Sequence, residues 1–350
     1  MSTLMPQDPK ALYMQEITFA KEELERRTKS PVLVKAADIQ AQSNGYHRVL
    51  IVDPRVGFNV RAFRFWINKL PPGGEEGAKW KTIGHRHTVE ASLHILQGEG
   101  YSVIDGVKYF WTAGDFICVP MFSWHRHVNT SKGDMIYVAS TTGPLSMALG
   151  VAIYEDERYP DYWVFAQAGE ESLKSLIPGA DERVALDSDK HAFKKGNYKG
   201  VAAELYEGQL RFSAREEKQR RSGKVLVKGK GLRFTRTPMG RVAYVVDPRL
   251  GFHVNVISTL LAEVPPGKRS GCHRHLYEEI NYVMSGRGYS IINDRRYDWS
   301  AGDAMSIPVF SWHQHFNTAK EPARFLVHST RPCMEKFGHM VTQQGELADH

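Results

Sequence analysis

GHRHTVEASLHILQGEG, residues 84–100, returns as GCHRHLYEEINYVMSGRG at residues 271–288. Each copy opens on two histidines one residue apart and runs through an apolar stretch to a Gly-x-Gly. On a β-strand, side chains at i and i+2 share a face, so His85 and His87 point the same way, as do His273 and His275. The likeness extends outward: GDFICVPMFSWHRHVNT (114–130) pairs with GDAMSIPVFSWHQHFNT (302–318), RVLIVDPRVGFNV (48–60) with RVAYVVDPRLGFHV (241–254), and LPPGG (70–74) with VPPGK (264–268). Even the lead-ins ELERRTKSPVLVK (23–35) and EEKQRRSGKVLVK (216–228) match. A repeat on this scale means one structural unit built twice. From the His-x-His to Asn129 and Asn317 the copies are offset by 188, and upstream of it by 194, which places six extra residues in GGEEGAKWKTIG, just ahead of His85.

Within each copy, runs such as VRAFRFWINKL, SLHILQGEGYSVI and GDFICVPMF are separated by Pro-Gly, Gly-x-Gly, Asp-Gly and Gly-Asp turns. Short strands so spaced predict an all-β sandwich or barrel per copy. The expected division is an N-terminal helical segment over 1–30, a first barrel over 31–200 and a second over 201–350, with the boundary in the polar HAFKKGNYKG. KALYMQEITFAKEELERRTK reads as a helix with Leu12, Met14, Ile17 and Phe19, expected to pack on the barrel or on a partner subunit.

At 350 residues, 42% apolar and 24% charged, the chain has the composition of a globular protein large enough for two domains. Its opening lacks a basic region followed by an apolar one, and no uncharged apolar run approaches membrane-spanning length, so a cytoplasmic protein without membrane contact is expected. Cys118, Cys272 and Cys333 stand at no metal-binding spacing. The formal charge of +7 is concentrated in REEKQRRSGKVLVKGKGLRFTR (215–236). Glutamates interrupt that run and no aromatic ladder accompanies it, so no nucleic-acid partner is expected, while an anionic small substrate suits the balance.

Each copy thus joins His-x-His, a Gly-x-Gly, and Gly-Asp-x4-Pro-x3-Trp-His-x-His-x-Asn. These residues resemble the two motifs of the cupin superfamily, and the duplicated form resembles bicupins of the gentisate and salicylate 1,2-dioxygenase type. The resemblance implies two tandem cupin barrels, each a double-stranded β-helix or jelly roll, with short flanking helices. It implies a ligand set of His273, His275, Glu279 and His313 in the second copy, and parity agrees, since Glu279 lies four after His275 and Glu278 does not share that face. In the first copy His85, His87 and His125 match, but Ala91 stands at the carboxylate position, and Glu90 is expected on the outer surface or behind the ligands. A three-histidine site suits the dioxygenases, with Fe(II) as metal; Mn, Ni or Cu are open for the second barrel.

Substrate contacts are expected from Arg64, Trp66 and Asn68, which share one strand face, where the second copy has only Ser258, Leu260 and Ala262. By the resemblance, Arg48 holds a substrate carboxylate and the positions of Arg64 and Asn68 touch substrate, whereas an arginine of the family is replaced by Leu93. His127, two after His125, faces the metal side, and Arg48, Arg64, Asn68 and His127 form the expected catalytic set. Trp80, with Lys79 and Lys81 in the inserted stretch, is expected to close over substrate. The function implied is an extradiol-type, non-haem Fe(II) dioxygenase that opens the ring of a hydroxylated aromatic carboxylic acid with O2, in a homo-oligomer, dimer or tetramer. Two other readings stand beside it: a redox-neutral lyase, isomerase or decarboxylase acting on a small carboxylate at the second site, and a non-enzymatic binding bicupin.

Overall fold

In the strand Arg64–Leu70, alternate side chains enter two different cores. Phe65 joins Val245, Leu261, Ile280 and Leu326 of the second copy, whereas Trp66 and Leu70 join Leu93, Ile95, Trp111 and Tyr137 of their own. Phe65 and Ile67 face one core and Trp66 and Leu70 the other, so both parities carry apolar residues and the stretch lacks clean alternation. The second copy repeats the device: Leu261 faces the shared core, and Leu260 packs with Val242, Trp299 and Phe325.

The structure is a computed structural model, and it describes residues 8–43, 48–72, 84–156, 159–163 and 199–350. Among these, the first copy forms two antiparallel six-stranded sheets. One runs Leu226–Val227, Phe116–Val119, Ala91–Gln97, Met135–Thr141, Arg64–Leu70, Arg48–Val52 in spatial order. The other runs Tyr159–Trp163, Tyr154–Asp156, His85–His87, His125–Asn129, Glu99–Ile104, Val107–Thr112. The second copy has sheets of seven and five strands. Paired sheets enclosing a core, with strands crossing between them, make a jelly roll in each copy. The first copy's sheet that holds Arg64–Leu70 and the second copy's seven-stranded sheet meet back to back in the shared core.

The lead-ins cross over. Leu33–Val34 pairs with Ala304 and Met305 in the second copy's seven-stranded sheet, and Leu226–Val227 pairs with Phe116 and Ile117 in the first copy's sheet that holds Arg64–Leu70. Each is tied down by a buried aspartate: Asp303 binds Lys35 Nζ at 2.9 Å and the backbone N–H of Ala36 at 2.8 Å, and Asp115 binds Lys228 Nζ at 2.8 Å and the N–H of Gly229 at 3.0 Å.

A second reciprocal tie corrects an expectation. Glu90 lies neither on the outer surface nor behind the ligands; it is buried between the copies, where its carboxylate accepts the backbone N–H groups of Asn255, Val256 and Ile257. Glu278 does the same to Arg61 and Ala62. Parity correctly turned Glu90 away from the metal face, but what lies behind that face is the other half of the protein.

The flanking helices are longer than the short ones expected, 21 residues in Pro9–Lys29 and 22 in Val201–Ser222. Asp8 caps the first by accepting the N–H of Lys10. That helix buries none of its residues, leaving Leu12, Met14, Ile17 and Phe19 exposed, and Glu23 near its end holds Arg61 at 2.7 Å. In the second, Arg220 is buried against Glu217, Asp105 and Ser123, so the basic run is partly consumed by internal pairing. No helix among the described residues is long and apolar enough to cross a membrane.

Candidate metal centres

His85 and His125 are direct cross-strand partners, as are His273 and His313. The third imidazole of each group, His87 or His275, follows from the i+2 parity. Ring centroids stand 4.2, 4.8 and 5.5 Å apart in the first copy and 4.2, 5.0 and 5.6 Å apart in the second. One ligand atom from each of His85, His87 and His125, and from each of His273, His275, Glu279 and His313, lies within 4.8 Å of the others in its group.

The backbone sets the tautomers. A carbonyl oxygen can only accept, so a ring nitrogen bonded to one carries the proton and leaves Nε2 with a bare lone pair. His87 Nδ1 donates to Val89 O at 2.8 Å, His125 Nδ1 to Ser123 O at 2.8 Å, His275 Nδ1 to Tyr277 O at 2.9 Å and His313 Nδ1 to Ser311 O at 2.9 Å. Nε2 of His275 and of His313 is buried without a hydrogen bond. Burial pushes His125 down to about 3, and burial with the neighbouring rings drives His85 and His313 well below the ordinary imidazole value. Neutral rings with converging lone pairs are what a divalent metal requires, so both groups fit one.

The fourth position separates the copies. Glu279 has one oxygen 3.3 Å from His275 Nε2 and the other 3.9 Å from His313 Nε2. Asn281 donates to it at 2.9 Å. The equivalents in the first copy are Ala91 and Leu93, so both the carboxylate and the amide that steadies it are missing there.

A cavity over the first cluster is lined by Arg48, Arg64, Trp66, His127, Tyr137 and Tyr154, among others. Both guanidiniums lie over Trp66, their carbons 5.0 and 5.3 Å from its ring centroid. Asn68 is buried one step back and does not line the cavity; its amide donates at 2.7 Å to the hydroxyl of Tyr137, which does. His127 Nδ1 lies 2.7 Å from Ser102 Oγ, which accepts from Trp111 Nε1 at 3.0 Å. Burial, helped by Arg48, pushes His127 down to about 4. Trp80, Lys79 and Lys81 fall outside the described residues.

Sequence reasoning overlooked Tyr154, Tyr137, Thr141 and Gly143. Tyr154 stacks on His85 with centroids 5.3 Å apart and comes from a strand paired to His85–His87. Its counterpart at the 188 offset, Thr342, is paired likewise to His273–His275, so carrying the register past the motifs would have found it.

Besides the strand face of Ser258, Leu260 and Ala262, the second copy draws polar groups to its cavity from other elements. Its cavity is lined by Tyr244, Tyr277, Glu279, Asn281 and Arg331, among others. Arg331 is the counterpart of Gly143, just as Ser258 is of Arg64. A Cβ on Gly143 would come within 2.8 Å of the Arg64 guanidinium, so an arginine at one position requires a small residue at the other. Each copy therefore brings one arginine to this junction from a different strand end. Their neutralisation differs. Arg331 is bound by Asp247 and Glu335. Arg64 donates to the Thr141 hydroxyl at 3.2 Å, while the matching Asp53 is taken up by Arg55 at 2.8 and 2.9 Å. Among the described residues no carboxylate binds Arg64, and burial, with Arg55 nearby, pushes its pKa down.

The cupin domain profile matches residues 66–141 and again 260–329. Each copy thus carries a cupin domain, which makes the chain a bicupin. It is similar to a 1-hydroxy-2-naphthoate 1,2-dioxygenase of Nocardioides sp. (strain KP7), 24% identical over 73% of this chain. It is similar also to a 5-aminosalicylate 1,2-dioxygenase of Comamonas sp., 22% identical over 73% of this chain. The bicupin spans 61% and 63% of the lengths of these two relatives. The salicylate 1,2-dioxygenase of Pseudaminobacter salicylatoxidans shares its fold at a TM-score of 0.60 and 17% identity, over 98% of this chain and 91% of that one.

Proposed function

We propose that this bicupin is an Fe(II)-dependent dioxygenase that opens the ring of a hydroxylated aromatic carboxylic acid, in the gentisate, salicylate or hydroxynaphthoate class, at the first cluster. One observation carries the reading: three neutral histidines without a carboxylate share a cavity with Arg64, a partly buried cation to which no carboxylate of the described residues is hydrogen-bonded. The names of the relatives point the same way. Fe(II) held by His85, His87 and His125 would supply the open positions and the electron transfer that join substrate to O2. The chain's residues do the rest. Arg64, with Arg48 beside it, binds the carboxylate through a planar fork of donors. Trp66 stacks with both guanidiniums and keeps them at the cavity wall. Leu93, Val119 and Ala139 exclude water around the ring. His127, neutral above about pH 4, offers one hydrogen bond to a substrate or oxygen atom.

The second cluster, with Mn, Ni, Cu or iron, supports the runner-up, a redox-neutral reaction on a small carboxylate, because Glu279 leaves one open position fewer. The neutralised Arg331 speaks against an anion there. A homo-oligomer is supported by the exposed apolar residues of Pro9–Lys29. A cytoplasmic setting and two units over 31–200 and 201–350 complete the proposal.

The test is oxygen uptake by Fe(II)-loaded protein against a panel of hydroxybenzoates and hydroxynaphthoates. Uptake matched to loss of ring absorbance is expected. Full-rate turnover without oxygen, or no uptake with any member while iron stays bound, overturns the reading.

A further inference from the structure

Arg64 is held from the other half of the protein. The bend Arg61–Phe63 leads into its strand, and the N–H groups of Arg61 and Ala62 both donate to the buried carboxylate of Glu278. On the far side of Arg64, Phe65 packs against Tyr282 and His328, with centroids 5.8 and 5.5 Å away. All three gripping residues belong to the second copy. Glu278 is in turn fixed by donating its own N–H to Thr330 Oγ1 at 3.0 Å, and the next residue is Glu279 of the second cluster.

We propose that Glu278 is a positioning residue for the first site: by clamping Arg61 and Ala62 it fixes the trajectory on which Arg64 reaches the cavity, so the second barrel sets the anion affinity of the first. The inference rests on the reading of Arg64 as the carboxylate anchor. A carboxylate taking two backbone N–H groups is a stiff, directional tie, and a displacement of about 1 Å at a substrate-orienting group is enough to lose much of its contribution. The mirror-image tie makes the asymmetry plain. Glu90 clamps Asn255, Val256 and Ile257, but the residue those deliver is Ser258, which bears no charge and is itself bonded to Asp247 at 2.8 Å. The same device carries a binding consequence in one direction only.

The experiment uses the Fe(II)-loaded protein without oxygen and measures binding of salicylate and of the uncharged phenol by calorimetry. Glu278→Gln should weaken salicylate by about tenfold or more and change phenol by less than about twofold. Arg64→Met should show the same discrimination, and the double variant should bind salicylate no worse than Arg64→Met, because the two act through one contact. Equal losses for both probes, an unchanged salicylate affinity, or additive effects overturn the positioning role. If Arg64→Met itself leaves salicylate unaffected, or the wild-type protein does not bind salicylate, the functional reading fails and takes this one with it. Should Glu278→Gln not fold, amide exchange in the wild-type protein decides by reciprocity: saturating salicylate should slow the amides of Arg61 and Ala62 by roughly threefold or more and leave those of Asn255 and Val256 unchanged. Equal slowing, or none, overturns the proposal.

Discussion

The two copies share almost everything that makes a cupin and differ in how they distribute charge. The Ser102–His127–Trp111 group recurs as Ser290–His315–Trp299 with matching distances, 2.7 Å from serine to histidine in both, and the buried glutamate clamps are mirror images. The contrast falls at four pairs: Arg64 and Ser258, Ala91 and Glu279, Leu93 and Asn281, Gly143 and Arg331. In the first copy these leave neutral ligands beside an arginine to which no carboxylate of the described residues is hydrogen-bonded. In the second they put a carboxylate on the cluster and two more on the arginine. On the proposed reading, a duplicated scaffold holds one site open to an anion and closes the other to it by exchanging a handful of side chains around an unchanged set of histidines.

The harshest test of this contrast is to remove one cluster at a time. His87→Ala should take metal content from about two per chain to about one and lower ring-opening by roughly a thousandfold or more. His275→Ala should remove the other metal and leave most of the activity. Elemental analysis with oxygen uptake on both variants checks this, and the reverse pattern would move the active site to the second barrel.

The next test moves a group across. Ala91→Glu combined with Leu93→Asn rebuilds the second copy's fourth ligand in the first, and should keep the metal but lower oxygen uptake by about a hundredfold, since one substrate position is then taken. Unchanged uptake would show that the missing carboxylate does not matter.

Much of this contrast was legible in the sequence. The His-x-His spacing and the internal repeat determined the fold, and parity on the strand distinguished Glu279 from Glu278 and turned Glu90 away from the cluster. Arg331 was not legible, because it lies after the strand Ala323–Ser329, beyond the motifs, and its relation to the first site shows only through the space that Gly143 vacates for Arg64. The strand exchange was hidden for a different reason. The matching lead-ins VLVK state that two segments behave alike, but a local sequence carries no record of which sheet each will pair with.

Arg64→Met sharpens the comparison at lower amplitude. Losing the charge should raise KM for an anionic substrate by roughly thirtyfold to a hundredfold with iron content unchanged, whereas Arg331→Met should cost stability instead, because it leaves Asp247 buried without its cation. Steady-state kinetics and thermal unfolding on the two variants separate these outcomes. Equal effects on KM would mean that both cavities take the anion.

The smallest expected difference concerns the exchanged strands, where the copies should behave alike. Lys35 and Lys228 are each about half exposed, at 48% and 56%, while their partners Asp303 and Asp115 are buried. Solvent screening at the lysines limits each pair to about 0.5–1 kcal/mol, so Lys35→Met and Lys228→Met should lower the urea midpoint by small and similar amounts. Acid provides the sharper reading for Lys228. Burial alone would raise the Asp115 carboxyl, but the hydrogen bond from Lys228 and the N–H groups of Thr112 and Gly229 hold it below its ordinary value. A carboxyl whose folded pKa is depressed contributes stability above its unfolded value of about 3.9, and that contribution is lost as pH falls through the folded value. The gap between wild type and Lys228→Met should therefore be present at pH 7 and close below about pH 4. A gap that persists in acid would mean that Lys228 acts through its bond to the carbonyl of Phe110, at 2.8 Å, and not through the aspartate.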